Sequence, residues 1–320
     1  MASPKVTAIT INYNQTDYTF ECIKSLISSN YKNFEIIIID NGSEQDNYLA
    51  LKNRLESIET ERLHCIRLDQ NIGYVRGINY GLEKAKNLNP NYILILNNDT
   101  VIDISSISNL VTVAEKHNGR AIVSGKVYHY DTKNILQYIG QYPDNNSGLN
   151  HLAVVKNQYE KDLGQYDSEM EMGMLDDIYW LMPISLYDSI GGYSDYFYLY
   201  GEQNDYALRA ISAGFKLIYT PQAKLWHKGG ITTSGGNKKS ARIEYWKKMA
   251  ILKLSVLHLS EDLARSFFWK WLFRESIKTI VFFLIRKKSF SNLKAHFLAI
   301  SHFKHWKTVK YKDVGFNPFD

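Results

Sequence analysis

FEIIIID, residues 34–40, holds four consecutive isoleucines and ends in an aspartate. A strand with one wet face alternates apolar and polar residues. One that is apolar throughout is covered on both faces, as in a parallel sheet flanked by helices. The stretches around it repeat the theme. Val6–Asn12 is a short β-branched run, and Asp17–Ser28 carries Cys22, Ile23, Leu26 and Ile27 at helical spacing. Tyr48–Ile58 reads as a helix, Leu63–Asp69 as a strand, Gly73–Asn87 as a helix and Tyr92–Leu96 as a fourth strand. Such alternation predicts an α/β fold with a mostly parallel sheet. Each strand also ends in polar residues: Asn12-Tyr13-Asn14, Asp40-Asn41-Gly42-Ser43, Asp69-Gln70-Asn71 and Asn97-Asn98-Asp99. In open α/β sheets, ligands bind beyond the carboxyl ends of the strands, so these four clusters outline one site.

The usual nucleotide signatures are missing. No G-x-G-x-x-G follows the first strand, and no G-x-x-x-x-G-K-S/T occurs. Both a dinucleotide Rossmann site and a P-loop are disfavoured. A carboxylate or amide at a strand end can instead accept from the N3–H of uracil or thymine, and a tyrosine can cover a base face. Asp40-Asn41-Gly42-Ser43 also reads plainly as a turn.

Further along, Ser105–Lys116 reads as a helix and Ala121–Tyr128 as a strand. The pattern weakens from His129 to Glu171. Asp177–Tyr187 reads as a strand opening a helix, Tyr206–Ala213 as a helix, and Lys216–Thr220 as a strand that stops at Pro221. The composition changes after the glycine-rich stretch Gly229–Gly236, which suggests a domain of residues 1–235 and a basic, aromatic-rich helical region of residues 236–320. Within the first, residues 1–103 and 104–235 are expected to form two halves. Ser240–His258 and Ala264–Trp306 read as mostly helical.

Four segments carry a resemblance. "ITINYNQTDYTFECIKSLISSNYKNFEIIIIDNGS", "NIGYVRGINYG", "YILILNNDTVI" and "IGGYSDYFYLYGEQNDYALRAISAGFKLIYTPQAKLWHKGG" resemble, in order and spacing, the family 2 glycosyltransferases. The nearest flavour is the rhamnosyltransferase-like branch of bacterial surface-polysaccharide enzymes. The resemblance implies a GT-A fold, a UDP- or dTDP-sugar donor, a divalent ion (Mn2+ or Mg2+) and an inverting single displacement onto a glycan or lipid-linked glycan.

It also implies roles for particular residues. Asn12, Tyr13, Asn14, Asp40, Asn71, Gly73, Arg76, Asn97 and Asn98 are expected around the nucleotide sugar. The family's D-x-D is here Asn97-Asn98-Asp99, so Asp99 keeps the ion-facing place, and His227 matches the late histidine ligand. Oxygen and imidazole ligands suit such ions, and the diphosphate can complete the shell. Asp177, Trp180 and Gly201 are expected near the sugar and acceptor. The family's catalytic base is usually the second acid of a pair, but that place holds Gln203. Glu202 is therefore the expected base, with Asp205, one helical turn away, as the reserve.

Charge divides the chain. Lys238–Lys312 contains 18 Lys/Arg against 4 Asp/Glu, a net +14, which leaves −9 for the rest of a chain of net charge +5. Cations interleaved with Trp, Phe and Ile in residues 264–312 suit an anionic membrane surface. A helix pair packed on the catalytic domain is the other reading. No apolar run approaches the ~20 residues that span a bilayer; Thr279–Ile285 is too short. The opening MASPKVTAITINYN does not resemble a secretory signal, and Cys22 and Cys65 suggest no disulfide framework. A cytoplasmic protein, peripheral on the inner face of the membrane, is expected. No nucleic-acid module is present, so no nucleic-acid partner is expected. The amides at positions 97 and 203 leave a second reading open, a non-catalytic sugar-nucleotide-binding subunit of a polysaccharide assembly complex.

Overall fold

The computed structural model describes residues 3–142, 152–153, 160–229, 241–313 and 318–319. Strand β1 (Val6–Asn12), helix α1 (Thr16–Ile27), β2 (Phe34–Asp40), α2 (Gln45–Glu56), β3 (Leu63–Arg67), α3 (Tyr74–Lys86) and β4 (Tyr92–Leu96) follow in the expected alternation. β3, β2, β1 and β4 lie side by side in that order, all parallel. The isoleucine run behaves as its composition requires. Ile37 and Ile39 enter the core beneath α3, and Ile36 and Ile38 enter the opposite core beneath α1 and α2. All four are at most 1% exposed. Each such burial contributes on the order of 2 kcal/mol relative to exposure, which fixes the strand in the middle of the sandwich.

β5 (Thr100–Ile102), α4 (Ser106–Lys116) and β6 (Ala121–His129) come next. Among the described residues, the weakly patterned region supplies β7 (Ile135–Tyr138), β8 (Gln141–Tyr142), β9 (Leu152–Ala153) and β10 (Glu160–Lys161) and ends in a fifth short strand. After β11 (Met170–Glu171), β12 (Tyr179–Pro183) slots antiparallel between β4 and β6. α5 (Ile184–Ile190), α6 (Glu202–Ser212) and β13 (Lys216–His227) complete the sheet.

Two boundaries differ from the sequence reading, and both matter. β13 does not stop at Pro221. It pairs with β6 on both sides of a register shift between Thr220 and Lys224. The irregularity absorbs the missing N–H of proline, and the strand runs on to deliver His227. Helix α6 starts four residues earlier than its apolar spacing indicated, so Glu202 sits in its first turn.

Three helices follow: α7 (Ala241–His258), α8 (Glu261–Leu284) and α9 (Phe290–Val309). The expected single stretch 264–306 is two helices, broken at 286–289, where Arg286 has φ +56° and Ser289 caps α9. They form a third core around Tyr245, Trp246, Trp271, Phe303 and Trp306. Tyr196, Tyr198, Leu199 and Tyr200 of the catalytic sheet's last loop pack against it. Most of the expected domain boundary, residues 230–236, lies outside the described residues. Among those described, no helix is long and apolar enough to cross a membrane.

Candidate active site

β1 is flanked by β2 on one side and β4 on the other, and the polar clusters converge at this reversal of strand order. Asn12 is fully buried and fully satisfied. Its Nδ2 donates to Asp40 Oδ2 (2.7 Å) and Ser43 Oγ (3.2 Å), and its Oδ1 accepts from Thr19 Oγ1 (2.7 Å). Asn98 Nδ2 in turn donates to Thr19 Oγ1 (2.9 Å). Asp40 also accepts from the Ser43 amide (3.1 Å) and is fully buried. With its side-chain bonds spoken for, Asn12 supports the floor of the crevice, and Asn98 and Asp40 are its partners there. Unpaired, each such group would cost about 1–3 kcal/mol.

The rim is a separate layer. Asn14, at φ +53°, donates its amide to Ser43 Oγ (2.9 Å), and its Oδ1 accepts from the Glu44 amide (2.8 Å). Asn41 clamps the next loop: its Oδ1 accepts from the Ile72 amide (3.0 Å), and its Nδ2 donates to Asn71 Oδ1 (3.0 Å). Gly42, at φ +73°, lies so close to the loop that a Cβ would meet Gln70 backbone at 2.3 Å. Gly73 then caps α3 with φ +82°. Tyr13, Asn71 and Arg76 are exposed, and Asn97 is half-buried.

Asp99 and His227 are brought together by β5 and β13, which pair antiparallel with Thr100 opposite His227. Asp99 Oδ1 and His227 Nε2 are 3.2 Å apart, and both residues are buried. His227 Nδ1 donates to Gln137 Oε1 (3.0 Å), which leaves the Nε2 lone pair facing the carboxylate. Two lone-pair atoms so placed need a positive charge between them, a proton or a metal ion. Their separation is close to the ~3 Å between adjacent ligands of an octahedral ion with bonds of about 2.1 Å. A neutral imidazole with its other nitrogen held by a second residue is the usual arrangement of a histidine ligand. The donor set therefore fits a divalent ion, with two protein ligands. Among the described residues no group of three or more His, Cys, Asp and Glu side chains is placed to hold one. Burial raises the Asp99 carboxyl, but the hydrogen bond and charge of His227 outweigh it and hold the carboxyl below its usual range.

A second cluster is acidic. Asp177 Oδ2 accepts from Tyr74 (2.8 Å) and Tyr193 (3.0 Å) hydroxyls. Asp176 is half-buried next to it. Glu202 is delivered by two successive left-handed residues, Tyr200 (φ +66°) and Gly201 (φ +91°). A Cβ on Gly201 would meet Ala250 and Phe197 at 2.8 Å, so this glycine serves the turn. Glu202 is 4% exposed, and among the described residues its Oε2 has no hydrogen-bond partner; neither has the buried Oε1 of Gln203. Burial first, then the negative charges of Asp177 and Asp176, push the Glu202 carboxyl up to about 8. Burial and its acidic neighbour raise Asp177 as well, and burial raises Asp176, which also feels the charge of His227. The ion pair and the acids thus share one electrostatic basin. Asp205 is differently employed. It accepts from Arg209 Nε (2.8 Å) and His258 Nε2 (2.8 Å), tying α6 to α7. Trp180 is wholly buried behind Tyr193, stacked at 6.3 Å, so it backs the site without reaching the crevice.

A family model, glycosyl transferase family 2, matches residues 7–170, half of the chain. This chain belongs to glycosyl transferase family 2. The family 2 chain is 26% identical over 119 residues to the glycosyltransferase GlyG of Streptococcus pneumoniae, covering 37% of this chain and 38% of that protein. It is 31% identical over 96 residues to the putative teichuronic acid biosynthesis glycosyltransferase TuaG of Bacillus subtilis, covering 30% and 36%. Little more than a third of those relatives' length is spanned. A longer match, 21% identical over 276 residues, joins it to the poly-β-1,6-N-acetyl-D-glucosamine synthase of Staphylococcus epidermidis, covering 81% of this chain and 61% of that one. Among solved structures, the mannosyltransferase of Pyrobaculum calidifontis in complex with GDP-Man and Mn2+ superposes with a TM-score of 0.56 at 13% identity, over 80% of this chain and 64% of that chain. That likeness carries the fold alone, a GT-A-like α/β sheet with helices on both faces.

Gln137 and Asn41 are the site residues that sequence reasoning missed as individuals. Gln137 lies in the weakly patterned stretch 129–171, where nothing in the spacing ties it to His227, 90 residues on. Asn41 stood inside a turn cluster that gave no hint of its reach to residues 71–73.

Proposed function

We propose that this family 2 protein is an inverting glycosyltransferase, moving a hexosyl or rhamnosyl group from a UDP- or dTDP-sugar to a hydroxyl of a cell-surface glycan or its lipid-linked precursor. The observation that carries the reading is Glu202: a buried carboxylate that feels the charges of Asp177 and Asp176 and has one oxygen without a partner among the described residues. A protein that only bound the donor would have no use for it. Glu202 takes the proton of the acceptor hydroxyl as that oxygen bonds to the anomeric carbon and the sugar–diphosphate bond breaks. The raised basicity of Glu202 suits that step. Asp177, held by Tyr74 and Tyr193, orients sugar hydroxyls. Tyr13, Asn71, Arg76 and Asn97 line the donor edge, supported by Asn12, Asn14, Asp40, Gly73 and Asn98. Asp99 and His227 would hold a Mn2+ or Mg2+ ion, whose charge stabilises the departing diphosphate. A thermal-shift series with nucleotide sugars tests the donor: a UDP- or dTDP-sugar should raise the melting temperature with Mn2+ and much less with EDTA. No shift with any nucleotide sugar would reject the reading.

We further propose that α8 seats the enzyme on an anionic membrane surface at the inner face of the cell envelope. Trp269, Phe273, Ile277, Ile280 and Leu284 recur every three or four residues, and Phe273 and Leu284 are 73% and 70% exposed. Lys270, Arg274 and Lys278 stand beside them. An apolar stripe with flanking cations lies in the headgroup region of a bilayer. Co-sedimentation should be strong with vesicles containing phosphatidylglycerol, weak with phosphatidylcholine alone, and lost in F273S/L284S. Equal binding to both vesicle types would overturn the electrostatic part.

A further inference from the structure

Behind that stripe, α7 and α8 part to leave a cavity of about 940 Å3. Ile243, Ile251, Trp271 and Phe282 give its lining an apolar part, and the turn Arg286-Lys287-Lys288 gives it a cationic one. A second hollow, about 690 Å3, adjoins it on the other side of the same turn and is walled by Phe283, Leu284 and Phe290. Lys247 and Lys248 add cations from α7. The acids present do not cancel them. Glu244 is shared by Lys248 (2.6 Å), Lys288 (2.5 Å) and Asn292 Nδ2 (3.1 Å), and Glu275 lies near Arg274 and Lys278. Five cations against two carboxylates leave the lining at +3.

The floor is built as well. Lys248, 8% exposed, donates to Thr279 Oγ1 (3.0 Å) and His296 Nδ1 (2.7 Å), and Ser276 holds the other ring nitrogen of His296 (2.9 Å). Glu244, Thr279 and His296 take all three of its N–H groups, so Lys248 shapes the lining rather than offering a donor to a ligand.

The same face of the molecule adjoins the acceptor loop. Within Ile243–Ile251, Trp246 stacks on Tyr198 at 4.7 Å, and Lys247 lies over the Tyr200 ring at 5.2 Å. Tyr200 is two residues from Glu202.

We infer that these adjoining hollows bind an anionic amphiphile, its phosphate at the shared turn Arg286-Lys287-Lys288 and its chain against Phe283, Leu284 and Phe290. A phosphate requires the cations, and a hydrocarbon chain requires the apolar walls that open onto the exposed stripe; neither alone accounts for both. As the acceptor class for the transfer proposed above, a phosphate-linked lipid carrier rests on that reading. The anion site itself does not. Arg286 and Lys287 are exposed turn residues, so replacing them leaves the helices intact.

Isothermal titration with dodecyl phosphate below its micelle concentration tests the site. Wild type should bind it saturably, at least tenfold more tightly than dodecyl maltoside or inorganic phosphate. R286Q/K287Q should weaken dodecyl phosphate binding at least tenfold while its nucleotide-sugar thermal shift is unchanged. Equal binding of dodecyl maltoside would overturn the anion site. Equal binding of inorganic phosphate would overturn the amphiphile. Undiminished binding in the double variant would overturn the placement. A wild type that binds dodecyl phosphate but no nucleotide sugar would sink the glycosyltransferase reading and leave this site standing.

Discussion

Replacing Glu202 by glutamine should lower the transfer rate by about 10²–10⁴-fold, the usual contribution of a general base, and should make the protein more stable. The second effect follows from burial. Glu202 has a folded carboxyl near 8 against an ordinary 4.5. For an acid raised in this way, the folded state holds its proton where the unfolded chain has lost it. The penalty is absent below pH 4.5, grows as pH rises towards 8 and is constant above. At pH 7 a gap of about 2.5 units is worth roughly 3 kcal/mol. Glutamine keeps the shape and removes the charge. The melting temperature of the variant at pH 7 should therefore exceed that of wild type by several degrees, and the difference should shrink by pH 5. In wild type, kcat/KM should climb with pH towards about 8 as Glu202 loses its proton. Donor affinity should be unchanged. Asp205→Asn is the contrast: it strips a buried charge partner from Arg209 and His258 and should destabilise by a few kcal/mol. Full activity in Glu202→Gln would show that Glu202 is not the base, and lower stability would show that burial does not raise its carboxyl.

That assignment shows what the sequence carries and what it withholds. The isoleucine run and the polar strand ends were legible, because a parallel sheet demands continuous apolar strands and its ligand edge demands polar ones. Val6–Asn12, Phe34–Asp40 and Tyr92–Leu96 come out with the expected bounds. The pairing of Asp99 with His227 rested on resemblance; what sets it is the register of β5 against β13, a contact 128 residues apart in sequence. The preference for Glu202 over Asp205 rested in the sequence on position alone, without their partners. Both are acids on one helix face, and only tertiary partners, Arg209 and His258 for one and none for an oxygen of the other, tell them apart. Trp180 was expected near the sugar and acceptor from the resemblance alone. Its position in β12, opposite Ile95, turns it into the core. The layering of Asn12 beneath Asn14 was equally hidden, since both are asparagines at one strand end and only hydrogen-bond counts separate floor from rim.

Asp99→Ala should abolish the coupling between metal and donor. Asp99 and His227 are only two ligands, and one carboxylate with one imidazole holds Mn2+ weakly in water-exposed competition. The remaining positions fall to the diphosphate and water. Mn2+ alone should therefore bind poorly to wild type, and a nucleoside diphosphate should raise its affinity by on the order of ten- to a hundredfold. Linkage then requires Mn2+ to raise nucleotide affinity by the same factor. Titrations in both directions check this without any turnover. In Asp99→Ala the factor should fall to near one, because the diphosphate would have only His227 to share an ion with. Gln137→Leu should retain the coupling at a lower level. It leaves both ligands but frees the His227 ring to rotate and to move its proton to Nε2, and loss of such a supporting residue costs about 10–100-fold in metal affinity. The order of effects is diagnostic: Asp99→Ala beyond Gln137→Leu, and both beyond Asn97→Ala, whose half-buried amide brings no charge. If Asp99→Ala keeps the full coupling, the ion is held elsewhere, and the strand end at Asn97-Asn98-Asp99 is a turn and nothing more.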